Sequence, residues 1–185
     1  MMTELSLNVL DVAENSLRAK ADFIQIYLEI NSKQDSLTIV ISDNGIGMTT
    51  EQVAQAMDPF YTTRTTRNVG LGIPFFKYAA ESTGGNFSIQ STPGKGTMVQ
   101  AEFKLSHIDR MPLGDMTSTI YTLITFNINV DFLYTYIVDD KSFLLDTREF
   151  RHILGNIPFN EPEIASYIKD YLQENKEEVD GGRYI

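Results

Sequence analysis

From Glu4 to Ala21 apolar residues return at three- and four-residue steps, at Leu7, Leu10, Ala13, Leu17 and Ala21. That is the period of a helix with one buried stripe, and it predicts a helix over 4–21. The pattern then changes to alternation in Phe23 to Ile30 (FIQIYLEI), as in a half-buried strand. Leu37 to Ile41 predicts a second strand that runs into the turn signal Asp43-Asn44-Gly45, and the two strands are expected to pair as a hairpin across Ser32 to Asp35. Thr50 to Met57 predicts a short helix stopped by Asp58-Pro59, because proline disfavours helical geometry in the residue before it. Tyr61 to Val69 has almost no apolar period and reads as a loop. A helix over 70–82, ended by Thr83-Gly84-Gly85, precedes strands at 87–91 and 97–105 that are joined by Pro93-Gly94-Lys95-Gly96.

After Ser106 the texture changes. Met111-Pro112-Leu113-Gly114 reads as a linker, and 119–128, 132–138 and 142–145 read as three strands, with Asp139-Asp140-Lys141 making the last turn. Helices are expected at 148–154 and 161–178, the second with Ile164, Ile168 and Leu172 on one side, and the charged run Glu174 to Asp180 is expected to fray. This divides the chain into 1–108 and a small acidic α+β extension, 113–185, whose strands either extend the first sheet or stand apart from it. Phe126, Phe132, Tyr134 and Tyr136 are expected in the core of the extension.

Composition narrows the function classes. With 42% hydrophobic and 22% charged residues in 185, the chain can bury a real core. It has no cysteine, which excludes disulfides, thiolate metal sites and thiol nucleophiles, so a metal must be held by oxygens or imidazole. A formal charge of -10 argues against nucleic acid as a partner. The charge is uneven, with 8 basic and 11 acidic residues in 1–105 against 7 and 14 in 106–185. No apolar run approaches the roughly twenty residues a membrane helix needs. Met1 to Leu10 has neither the basic start nor the apolar core of a signal segment, so a cytoplasmic location and no membrane partner are expected.

Three elements carry candidate chemistry. In Asp43-Asn44-Gly45-Ile46-Gly47-Met48 a carboxylate at a strand end can accept a bond from an exocyclic amine such as that of adenine, and the glycines let backbone approach a planar ring. The same string is also an ordinary turn. Gly70-Leu71-Gly72 opens a helix, where amides without an intrahelical partner attract anions, although a Gly-x-Gly at a helix start is more often packing. Asn15 shares one helix face with Asp11 and Arg18, and can offer magnesium a neutral oxygen beside a carboxylate and a phosphate-binding guanidinium; the plainer alternative is a polar face turned to water.

Along the chain these run Asn15, then Asp43-Asn44-Gly45-Ile46-Gly47, a Pro59-Phe60-Tyr61-Thr62-Thr63-Arg64 loop, Gly70-Leu71-Gly72 and Gly94-Lys95-Gly96-Thr97, and in this order the chain resembles the GHKL superfamily. That group contains gyrase-type topoisomerases, the large heat-shock chaperones, histidine kinases and MutL mismatch-repair ATPases. The resemblance spans residues 4–105. Glu14-Asn15-Ser16-Leu17-Arg18-Ala19 is similar to the MutL form of the first helix, whereas Asp58 to Arg64, Gly70-Leu71-Gly72-Ile73 and Ser91 to Thr97 are similar to histidine kinases.

The resemblance implies an α/β, two-layer Bergerat-type sandwich of a mixed sheet and helices, with ATP and magnesium as cofactors. It implies Asn15 on magnesium, Asp43 on the adenine amino group, Gly45, Gly47, Met48 and Thr97 about the base, and Gly70, Leu71 and Gly72 under the phosphates. Phe60, Arg64 and Arg67 belong to the lid over the nucleotide, and Asp11 and Arg18 are the candidate catalytic residues. Asp11 stands where hydrolysing branches carry a glutamate, Arg18 where kinases commonly carry a lysine, and the first glycine of the kinase Gly-x-Gly-x-Gly is Asn68.

Three readings stay open. One is a stand-alone kinase that moves the γ-phosphate to a histidine or serine of a protein partner in signal transduction; with fourteen residues before Asn15, and His107 and His152 lacking the acidic neighbour of a phospho-acceptor, the acceptor is expected on another protein. The second is an ATP-hydrolysing switch of the MutL type. The third is a non-catalytic ATP-sensing regulator. Sequence leaves the oligomeric state open.

Overall fold

The computed structural model describes residues 3–60, 71–183 and 185. Helix α1 (Leu5–Arg18) is followed by β1 (Phe23–Asn31), β2 (Ser36–Asp43), α2 (Thr50–Ala56), α3 (Gly72–Glu81), β3 (Asn86–Thr92) and β4 (Gly96–Lys104). Then come α4 (Met116–Phe126), β5 (Asp131–Val138), β6 (Lys141–Asp146), α5 (Thr147–Leu154) and α6 (Pro162–Asp180). The strands make one six-stranded sheet in the order β3-β4-β2-β1-β5-β6. It is mixed, because β5 lies parallel to β1 while the other pairs are antiparallel.

Alternation along the strands separates the two faces. Ile24, Ile26, Leu28 and Ile30 of β1 share a face with Ile39 and Ile41 of β2, Val99 and Ala101 of β4 and Phe132 and Tyr134 of β5, and all are buried. Leu5, Val9 and Val12 of α1, Phe76 of α3 and Ile120 and Leu123 of α4 join the same core. Each such buried aliphatic or aromatic side chain contributes about 1.5–3 kcal/mol. The opposite face carries Gln25, Glu29, Thr38, Gln100 and Thr135, none of them buried. The result is the two-layer α/β sandwich that the motifs implied. Among the described residues no helix is long and apolar enough to cross a membrane.

The stripe that α1 buries is rotated from the expected one. Leu5, Val9, Val12 and Ser16 face the sheet, whereas Leu7 is 38% exposed and Leu10 and Leu17 are partly buried. The extension also departs from its sequence pattern, although β5 and β6 continue the first sheet. Residues 119–128, expected as a strand, fall largely within α4. Their Thr and Ile content favours a strand, but Asp115 caps a helix by accepting the Ser118 N–H at 2.8 Å. Met116, Ile120, Leu123 and Ile124 then make one buried helical face.

The expected linker is packed structure. Leu113 is buried, its N–H donates to the Ile185 carbonyl at 2.7 Å, and the Pro112 and Leu113 carbonyls accept the Leu5 and Ser6 N–H groups at 2.9 Å each. These donors are among the four that a helix start leaves without an internal partner.

Nor does the charged end fray: α6 runs to Asp180, which is 1% exposed. Its carboxylate accepts the Tyr136 hydroxyl at 3.0 Å, the Lys176 ammonium at 2.7 Å and the Gly182 N–H at 2.8 Å. Burial first, and then the Asp180 charge, push the Tyr134 and Tyr136 phenols up, so both stay protonated. Phe132, Tyr134 and Tyr136 are in the core as expected, but Phe126 is 80% exposed.

Candidate functional site

β2 delivers Asp43 to the helix-covered face at its end. Asp43 Oδ2 accepts the Ser16 hydroxyl of α1 at 2.6 Å, and Oδ1 accepts the Gly45 N–H at 2.9 Å and the Thr97 N–H at 3.3 Å. Three of the four acceptor positions of a carboxylate are thus filled by donors, which fixes its orientation and leaves capacity for one more.

The loop after Asp43 is held from two sides. On the α1 side the Ile46 N–H donates to the Ala19 carbonyl at 2.9 Å. On the β3–β4 side Gly94 donates to the Ile46 carbonyl at 2.7 Å, and Met48 donates its N–H to Ser91 Oγ at 2.8 Å. Ser91 Oγ in turn lies 2.8 Å from Thr97 Oγ1. Gly47 sits at φ +66, and a Cβ there would stand 2.0 Å from the Thr92 carbonyl oxygen, so no other residue fits without moving β3.

One helix serves both ends of this cluster. Asn15 precedes Ser16, and Asp11 lies one turn back, about 7–8 Å along the axis from Ser16. Asn15 Oδ1 accepts from Arg18 Nη2, and Arg18 Nη1 also reaches Glu14 Oε2 at 3.4 Å. Asp11 packs against the start of α3, where a Cβ on Gly72 would fall 2.8 Å from Asp11 Oδ2. Leu71 is the N-cap of α3, and the first-turn amides are those of Gly72 and Ile73 only, because Pro74 carries none.

The structure therefore gathers Asp43, Gly45, Met48 and Thr97 into one hydrogen-bonded group with Gly47 packed against Thr92 in the same loop, Asn15 and Arg18 following on α1, and Asp11 one helical turn before Asn15 against Gly72. Phe60 is 94% exposed and its N–H is taken by Asp58 Oδ1 at 2.8 Å. Arg64, Arg67 and Gly70 lie outside the described residues. Ser16 and Ser91 were missed. The signal for Ser16 was a hydroxyl at the helical spacing of Val9 and Val12, on the buried stripe. A shallow cavity of about 220 Å³, lined by Asp43, Ser91 and Thr97 together with Ser42, Gln90 and Met98, opens at this end of the sheet. Ser42, Gln90 and Met98 alternate with Asp43, Ser91 and Thr97 along the strands, so the side chains of the first three face the other side of the sheet. Among the described residues no three His, Asp or Glu side chains come together to hold a metal ion.

Residues 2–107 match the family model described as "Histidine kinase-, DNA gyrase B-, and HSP90-like ATPase". The chain belongs to this ATPase family. Sensor protein kinase FleS of Pseudomonas aeruginosa is 36% identical over 89 residues, 48% of this chain and 22% of that protein. Sporulation kinase E of Bacillus subtilis is 32% identical over 90 residues, 48% of this chain and 12% of that protein. The ATPase-family segment thus covers less than a quarter of the length of these relatives. A solved structure described as the N-terminal domain of a DNA repair protein aligns with TM-score 0.56 at 18% identity, covering 78% of this chain and 53% of that one. That likeness shows the fold, and its coverage is wider than the 2–107 segment, so it includes part of the extension.

Proposed function

We propose that this chain binds ATP with magnesium between α1, the Asp43–Met48 loop and the start of α3, and passes the γ-phosphoryl group to a histidine or serine of a partner protein. The observation that carries the nucleotide assignment is the Asp43 carboxylate, held by Ser16, Gly45 and Thr97 with one acceptor position left. The adenine amino group donates there, the backbone at Gly45 and Gly47 lies along the base, and Met48 and Thr97 border it. The phosphates point toward Leu71 and Gly72, with Gly70 and the lid residues Phe60, Arg64 and Arg67 assigned to the same end. Kinase chemistry is supported by the similarity of the ATPase-family segment to Sensor protein kinase FleS and Sporulation kinase E.

Asn15 Oδ1 would be the protein's ligand to magnesium, and the cation would supply charge neutralisation at the phosphates. For this, Arg18 turns from Asn15 toward a phosphate. Asp11 accepts the proton of an acceptor hydroxyl as its oxygen bonds to the γ-phosphorus, or, for an imidazole, the proton of the ring N–H while the other nitrogen makes that bond, and the bond from the γ-phosphorus to the bridging oxygen breaks to release ADP. The test uses ATP labelled in the γ-phosphate and a cell protein fraction as acceptor. Label should appear on protein, and Asp11→Asn should cut transfer about 100-fold or more while ATP still binds. Undiminished transfer in that variant would remove Asp11 from its role.

Ser16→Ala leaves one Asp43 oxygen without its donor and the carboxylate less firmly aimed. ATP affinity is expected to fall about five- to tenfold, or about 1–1.4 kcal/mol, within the worth of one ordinary hydrogen bond, as read by titration calorimetry.

A second reading, the ATP-hydrolysing switch, is favoured by one observation: α1, which carries Asp11, Asn15 and Ser16, is bonded at its start to Pro112 and Leu113, at the root of the extension. It requires phosphate release without any acceptor protein.

A further inference from the structure

Asn8 of α1 is fully buried, and neither its Oδ1 nor its Nδ2 has a hydrogen-bond partner. No other described residue has a buried side-chain polar atom left in this state. An amide buried without bonds costs about 1–3 kcal/mol, so a position that only filled space would carry an apolar residue, as Leu5, Val9 and Val12 do on the neighbouring stripe.

Its placement ties it to the nucleotide end of the helix. Asn8 precedes Asp11 by three residues and Asn15 by seven, which puts all three on one flank of α1. That flank packs on α3, because Asp11 is the side chain that a Cβ on Gly72 would strike at 2.8 Å. The other flank meets α4, where Thr119 Oγ1 reaches the Ser6 carbonyl at 3.5 Å. Helical spacing therefore places the buried Asn8 on the α3-facing flank of α1, just under one turn before Asp11.

We propose that Asn8 is a positioning residue: with ATP bound, its Nδ2 donates to the Asp11 carboxylate, directly or through one water, and holds that carboxylate toward the reacting phosphate. The proposal rests on the ATP-dependent reading of the site given above. Its thermodynamic content is that the amide gains a partner in the nucleotide-bound protein that it lacks without nucleotide. Asn8 then contributes to ATP affinity and lowers the stability of the nucleotide-free chain.

The experiment is thermal melting with and without ATP and magnesium, together with titration calorimetry, on wild type, Asn8→Leu, and the isosteric pair Asn8→Thr and Asn8→Val. Asn8→Leu should melt higher than wild type without nucleotide yet bind ATP about five- to tenfold more weakly, so that its ATP-induced rise in melting temperature shrinks. Asn8→Thr should keep more affinity than Asn8→Val, since only a hydroxyl distinguishes them; this pair carries the comparison if the leucine variant does not fold. Equal affinity in wild type and Asn8→Leu, with the same change in melting with and without ATP, overturns the proposal and makes the amide unpaired in both states. Wild type failing to bind ATP overturns the nucleotide reading itself, which is a different result from variants that all bind alike.

Discussion

Gly96→Ala is expected to abolish ATP binding and to lower the thermal midpoint by several degrees. Gly96 sits at φ +104, and a Cβ there would stand 1.9 Å from the Asp43 carbonyl oxygen and 2.7 Å from its carbon. Both contacts are with backbone of the adjacent strand, so no side chain can turn aside to relieve them. The start of β4 must instead move off the end of β2. That movement breaks the Thr97 N–H bond to Asp43 and the Ser91 bond to the Gly96 carbonyl, 3.3 and 3.0 Å in the structure. Backbone strain and lost bonds together cost about 3–5 kcal/mol. Gly94→Ala is the control: its φ is also positive, +76, but nothing lies within 4 Å of the added Cβ. It should lose only about 1 kcal/mol and keep ATP affinity. Differential scanning calorimetry and ATP titration on the two variants distinguish a steric block at the site from a general turn defect.

Asp180→Ala is expected to destabilise the chain by about 3–5 kcal/mol, the cost of removing one partner from a buried charged cluster. The Asp180 side chain is 0% exposed beside Lys176 at 2.7 Å, and it also takes the Tyr136 hydroxyl. Without it the buried Tyr136 phenol is left with no acceptor, and Lys176, whose side chain is 24% exposed, loses its charge partner. Asp180→Asn keeps a carbonyl for the phenol and should lose less. Urea unfolding of the three proteins measures the difference. Equal midpoints for wild type and Asp180→Ala would show that the extension does not depend on this anchor.

The elements that sequence predicted well are those with turn chemistry at their ends. The β1–β2 hairpin, the Asp43 loop and the β3–β4 hairpin are each marked by Asp, Asn or Gly at positions the backbone needs, and the site grows from two of these loops. Less of α1 was legible, because two apolar stripes compete on it. Leu7, Leu10 and Leu17 supply the more hydrophobic one, yet the sheet takes Leu5, Val9, Val12 and Ser16. With the helix rotated in that way, Ser16 turns to Asp43 and Asn8 becomes fully buried, and neither follows from the stripe of Leu7, Leu10 and Leu17. Residues 116–126 fit a strand by residue type and a helix by spacing, and contact with α1 and α6 decides for the helix. The acidic end read as solvated because charge runs usually are. One carboxylate in it, Asp180, is the buried exception, and its partner Tyr136 lies 44 residues away in sequence.

Titration of ATP with magnesium into wild type and Asp43→Asn tests the central claim most directly. Asparagine keeps the size of Asp43 but replaces an acceptor oxygen with an NH2 group, which must then face Ser16 and the adenine amino group, or the Gly45 and Thr97 N–H groups. The account predicts that wild type binds and that the variant binds about 100-fold more weakly or not at all. Equal binding by the two proteins, or no binding by wild type, would contradict it.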